Sequence, residues 1–164
     1  MRTIARPHPV IRGLQFVYVF LAWLYALGLA VQVYLAGLGI FSSSTWLETH
    51  AALGHSLFFG TILVLILAAV ARFPRAIILL NVLLFVLVFV QVSLVTWVYV
   101  FHLPPLTALH PVNALLLFFT AIITAYRAYR HVMASRGAET ESGPSLGSKR
   151  EQGANMAESQ SISH

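Results

Sequence analysis

Four long apolar runs joined by short polar connections leave this chain very few ways to fold. They extend from about Leu14 to Ala36, Leu47 to Ala71, Ala76 to Phe101 and Pro111 to Tyr129, and Lys, Arg, Asp and Glu enter them only near an end, as Glu48 and Arg127. Crossing the hydrocarbon core of a bilayer takes about 20 predominantly apolar residues as a helix. A helix of a soluble bundle would keep a polar stripe on its solvent side, whereas these runs are apolar nearly all round. The expected fold class is therefore an all-α integral membrane protein, an antiparallel four-helix transmembrane bundle.

The basic residues give this bundle an orientation. Arg2, Arg6, Arg12, Arg72, Arg75, Arg127, Arg130, Arg136, Lys149 and Arg150 all fall on one side when the connections are numbered alternately. The other side holds Glu48 and histidines but no Lys or Arg. Cytoplasmic loops retain basic residues, so the expectation is N-in and C-in. The positive balance then reads as topology plus attraction to anionic lipid head groups, not as a nucleic-acid surface. Membrane lipids are the expected partners. The absence of cysteine excludes disulfides, thiolate ligands and covalent c-type haem attachment. Although Arg2, Arg6 and Arg12 precede the first run as in a signal peptide, that run is too long for an h-region. Leu38 stands where a lipidated Cys would have to be. The segment reads as a retained signal-anchor helix, and the basic, Ser-poor N-terminus suits a bacterial cytoplasmic membrane.

Three regions are expected. Residues 1–13 form a basic cytoplasmic arm in which Pro7 and Pro9 discourage helix. Residues 14–131 form the transmembrane domain, with spans at 14–36, 47–71, 76–101 and 111–129. Residues 132–164 turn to Gly, Ser, Glu and Gln and make a disordered cytoplasmic tail. Thr45-Trp46-Leu47-Glu48 has the S/T-x-x-E form of a capping box that would start the second helix. This explains Glu48 without a catalytic role. Arg72-Phe73-Pro74-Arg75 reads as a tight turn, and Pro111 suits the first turn of the fourth helix.

The polar residues inside the spans repeat. Gln32 is followed by His50 and, one turn on, by Gly54. Gln91 is followed by His110 and Ala114, with the Gln-to-His spacing differing by one residue. This matches a parallel two-helix repeat about an axis along the membrane normal, which would set His50 and His110 face to face. Residues four apart share a helix face, so Gly54 and Ala114 leave room beside each histidine. That suits either a flat macrocycle between two axial imidazoles or merely close helix packing. His55 lies about 140° around the helix from His50 and cannot face the same partner. One of the two therefore reads as a packing or interhelical hydrogen-bonding residue, and His102 as a residue reaching water before Pro104-Pro105. A divalent metal in the histidine cluster lacks a supporting carboxylate beyond Glu48. Gln32 and Gln91 should face the bundle, either bonding between helices or supporting a cofactor, and Asn81 and Asn113 likewise. No nucleophile–base pair, phosphate loop or paired carboxylates point to an enzyme.

These residues resemble one half of the haem A synthase family. The similarity rests on Gln32-Val33-Tyr34-Leu35-Ala36-Gly37, His50-Ala51-Ala52-Leu53-Gly54, Gln91 and His110-Pro111-Val112-Asn113-Ala114. It implies His50 and His110 as axial haem ligands. The family usually has Arg after its helix-two histidine and Glu three positions before it, whereas this chain has Ala51 and Leu47. The synthase's activity is not carried over. The chain is also similar, in length and spacing, to small bacterial four-span proteins of unknown function with a Q…H…Q…HPvNA pattern.

Two functional readings stand. In the leading one, a b-type haem is held by His50 and His110 as its iron ligands. Gln32, Gln91, Gly54 and Ala114 form its surroundings, and the protein serves electron transfer or redox or haem sensing. The alternative is a non-enzymatic membrane scaffold or assembly subunit without cofactor, docking other membrane proteins through its apolar faces.

Overall fold

The computed structural model describes residues 9–102 and 104–141, with side chains described at all of these except 98, 99 and 138–141. Arg2, Arg6, His8, Lys149, Arg150 and His164, and with them most of the expected arm and tail, lie outside the described residues. Helix α1 runs Pro9–Phe41, α2 Trp46–Val70, α3 Arg75–Phe101 and α4 Leu109–Glu141, with a short 3₁₀ turn at Pro104–Ala108 before α4. All four helices are long and apolar enough to cross a membrane. The protein is an integral membrane protein, and its described residues contain no strand.

Two boundaries differ from those expected. Pro9 opens α1 instead of delaying it, because a first-turn residue needs no N–H donor. α4 continues to Glu141, so residues 132–141 are helical rather than part of a disordered tail. Met133, Ala134 and Arg136 in that stretch are residues that lose little rotamer freedom in a helix. The described residues from His131 onward belong to a separate compact unit. Within it Ser135 Oγ donates to the His131 carbonyl at 3.0 Å.

Within the bundle the helices alternate in direction. Gln15 Nε2, early in α1, donates to the Ala71 carbonyl just past α2 at 3.1 Å, while Gln32, late in α1, meets His50 in the first turns of α2. One core joins Tyr25, Ala26 and Leu29 of α1 to Leu84 and Val88 of α3 and to Leu117 and Ala121 of α4. Leu57 and Phe58 of α2 pack against it. Lipid tails are as apolar as these side chains, so the bundle is held by close packing and internal polar bonds rather than by expulsion of water. Buried Ala22, Ala26, Ala68, Ala121 and Ala125 let the backbones approach. Phe20, Phe59, Leu79 and Phe119 point outward, as lipid-facing residues should.

The turns set the register. After α2, Arg72 takes a left-handed conformation with φ 55°. Phe73 N–H then donates to the Ala68 carbonyl and Arg72 N–H to that of Ala69, both at 3.1 Å. This pair of bonds is the Schellman arrangement, and its hydrophobic partner is the buried ring of Phe73. Before α2 the expected capping box does not form. Thr45 makes no side-chain cap, because its hydroxyl pairs with Ser43 Oγ at 2.8 Å. Glu48 N–H bonds the Thr45 backbone carbonyl instead, at 3.2 Å. Leu47 covers Gly39, where a Cβ would collide with its side chain, and so ties the end of α1 to the start of α2.

Candidate functional site

The repeat in the sequence becomes a cluster in space. His50 and His110 occupy the first turns of α2 and α4, which start at the same end of the bundle. Their rings face each other with centroids 6.3 Å apart and planes inclined by 56°. Both residues are half-buried. Beside them stand Gln32 from α1 and Gln91 from α3, so every helix contributes a polar side chain to this end.

The first half of the repeat holds its histidine firmly. His50 Nδ1 lies 3.0 Å from the Gln32 backbone carbonyl. A carbonyl can only accept, so the ring carries its proton on Nδ1 and keeps the Nε2 lone pair free. That is the tautomer a metal-ligating histidine needs. The Gln32 carboxamide then lies over Gly54, where an added Cβ would come within 2.8 Å of Nε2. The space that Gly54 opens is thus partly filled by Gln32 itself. Gln32 Oε1 is buried and has no partner among the described residues.

The second half is built on the same plan but closes differently. Asn113, one turn after His110, donates through Nδ2 to Gln91 Oε1 at 2.6 Å and to the Leu87 carbonyl at 2.9 Å. The Gln91 carboxamide is therefore tied to α4. The Gln91 backbone carbonyl is the acceptor beside the buried His110 Nδ1, as that of Gln32 is for His50, though in a looser contact that falls short of full hydrogen-bond geometry. Ala114 lies one turn along from His110 and is half-buried.

The remaining histidines are not part of this arrangement. His55 is exposed, and its Nδ1 donates to the Ala51 carbonyl of its own helix at 2.8 Å, so it makes no interhelical bond there. His102 is exposed and caps α3 in a left-handed conformation. Glu48 is exposed on the first turn of α2. Among the described residues no three His, Cys, Asp or Glu side chains come together as a metal site.

A second polar layer lies deeper in the bundle, and only Asn81 of it was singled out from the sequence. Asn81 Nδ2 donates to Tyr18 Oη at 2.7 Å and to the Ile77 carbonyl at 2.8 Å. Tyr25 Oη lies 2.7 Å from Thr61 Oγ1. Thr61 uses its own proton on the Leu57 carbonyl, so the tyrosine donates. The signal for this layer was spacing: Tyr18, Tyr25 and Gln32 follow one another at seven-residue intervals on one face of α1.

A family model described as a family of unknown function (DUF6220) matches residues 32–97. The matched segment carries Gln32, His50, Gly54 and Gln91 and ends before His110. No curated protein and no solved structure matches the chain.

Proposed function

We propose that this protein binds one b-type haem between His50 and His110 and serves one-electron transfer or redox or haem sensing. The observation that carries the reading is the 6.3 Å separation of the two rings. An imidazole nitrogen sits about 2.0 Å from a bound metal and its ring centre roughly 1 Å farther, so trans ligands have centroids about 6 Å apart and a tetrahedral pair about 5 Å. The separation supports two histidines that would hold a flat group between them, rather than a shared zinc-like ion. A haem also supplies its own four nitrogens, so two histidines suffice.

The surroundings fit such a group. His50 is held in the ligating tautomer by the Gln32 carbonyl. The Gln91 backbone carbonyl lies beside the His110 ring as that of Gln32 does beside His50, the second partner that a ligating imidazole needs on its other nitrogen. When bound, the haem would supply reversible one-electron iron chemistry. The chain's own part is to orient His50 through Gln32, to bring His110 from the opposite helix and to hold Gln91 away through Asn113. Apolar residues one and two turns deeper, Leu57 and Leu117 among them, exclude water. The reading takes the basic end, with Arg12, Arg72, Arg75, Arg127 and Arg130, as cytoplasmic in a bacterial cell membrane. A redox partner would then approach the histidine end from outside.

The test is haem content in purified variants from haem-supplied cells. His50→Ala and His110→Ala should each lose the haem, while His55→Ala and His102→Ala retain it. Full haem in both of the first two variants would overturn the assignment and favour the scaffold reading.

A further inference from the structure

Beneath the histidine end, the deeper polar layer borders a small, partly open cavity of about 10 Å³ whose lining includes Tyr18, Tyr25, Val64, Asn81 and Thr124. All four helices contribute to its wall. That volume corresponds to about one water molecule, and nothing larger fits. What enters depends on the protons its walls have left.

The proton count is specific. Asn81 spends both Nδ2 hydrogens, on Tyr18 Oη and the Ile77 carbonyl, and its Oδ1 is buried without a partner. Tyr18 Oη accepts from Asn81, so its own hydroxyl proton is still to be given. Thr124 spends its proton on the Thr120 carbonyl at 2.7 Å, and Tyr25 spends its on Thr61. Both oxygens keep lone pairs. Among the lining residues, Tyr18 thus keeps one donor, and Asn81 Oδ1, Tyr25 Oη and Thr124 Oγ1 keep room to accept.

We propose that this cavity is a binding site for one ordered water, which accepts from Tyr18 and donates to Asn81 Oδ1 and to one of the Tyr25 and Thr124 oxygens. A buried water ordinarily makes about three such bonds. A metal cation would meet the Tyr18 proton and no carboxylate in the lining, so the site selects a neutral ligand that both gives and takes hydrogen bonds. The water would bridge α1 and α3, and α4 as well when Thr124 is its second acceptor, in the apolar interior where an unpaired amide oxygen has no solvent to turn to. It rests on residues separate from the histidine end, so the haem reading and this one fail independently.

The experiment is a crystal structure in a lipid phase at a resolution that shows ordered head-group waters. A density peak within hydrogen-bonding distance of both Asn81 Oδ1 and Tyr18 Oη is expected. A dry cavity in such a map would overturn the proposal. In Asn81→Leu the peak should vanish, and its persistence at full occupancy would overturn the role given to Asn81. Should that variant not fold, the map of the unaltered protein decides alone.

Discussion

The two polar layers of this bundle are built from the same inward helix stripes, yet they close in different ways. In the deeper layer nearly every polar hydrogen has an acceptor, and the bonds tie α1 to α2 and α3 across a core of alanines. The space left over is the size of a water. At the histidine end the polar groups are just as close together, but the bonds stop short. Gln32 Oε1 is left over, and the centroids of the two imidazoles stand 6.3 Å apart. Each layer leaves a buried polar atom unspent, Asn81 Oδ1 in the deeper one and Gln32 Oε1 at the histidine end. Only the histidine end also sets two imidazoles beside each other from different helices. That pair, more than any unspent atom, distinguishes a candidate site from a structural polar cluster.

Altering Gly54 would break the comparison most severely. Its Cβ position lies 2.8 Å from Gln32 Nε2, so Gly54→Leu must drive the carboxamide out and push a side chain toward the rings. Haem per protein is expected to fall at least about tenfold in absorbance, on the order of 1.4 kcal/mol or more in binding. Gly54→Ala asks only the flexible end of Gln32 to move and should keep most of the haem. Full haem in Gly54→Leu would show that Gly54 does not shape the site.

Changes in the deeper layer should act on stability and spare the haem. Tyr18→Phe removes the acceptor for Asn81 and the donor to the cavity, and is expected to cost about 1–2 kcal/mol in reversible unfolding. Arg72→Gly goes the other way. A left-handed non-glycine residue costs roughly 1 kcal/mol, so this variant should gain up to about that much. Tyr25→Phe should be smallest, about 0.6 kcal/mol, because Thr61 keeps its bond to the Leu57 carbonyl. Loss of haem in Tyr18→Phe at a temperature where the protein is fully folded would mean that the two layers are coupled and the contrast drawn above is false.

Much of this architecture was readable from the residues, and the exceptions have physical causes. Span number and helix direction followed from the length and spacing of the apolar runs. The start of α1 did not, since Pro9 discourages helix only where an N–H is needed. The capping box failed because Ser43 offered the Thr45 hydroxyl a nearer partner. The facing of His50 and His110 was implied by the repeat, but its chemistry was not. The group that orients His50 is the Gln32 backbone carbonyl, which every residue type possesses. The Gln32 carboxamide, conspicuous in sequence, instead fills the notch over Gly54. The Tyr18–Asn81 bond spans most of two helices, and only the shared seven-residue spacing with Gln32 hinted that those tyrosines point inward.

The central claim is tested most directly by absorption spectra of the purified protein from haem-supplied cells, recorded oxidised and then reduced with dithionite. The account predicts one haem per chain and a sharp reduced α-band from a six-coordinate, bis-imidazole iron. A colourless protein, from cells that load other haem proteins fully, would contradict it and leave His50 and His110 as structural residues of a membrane scaffold.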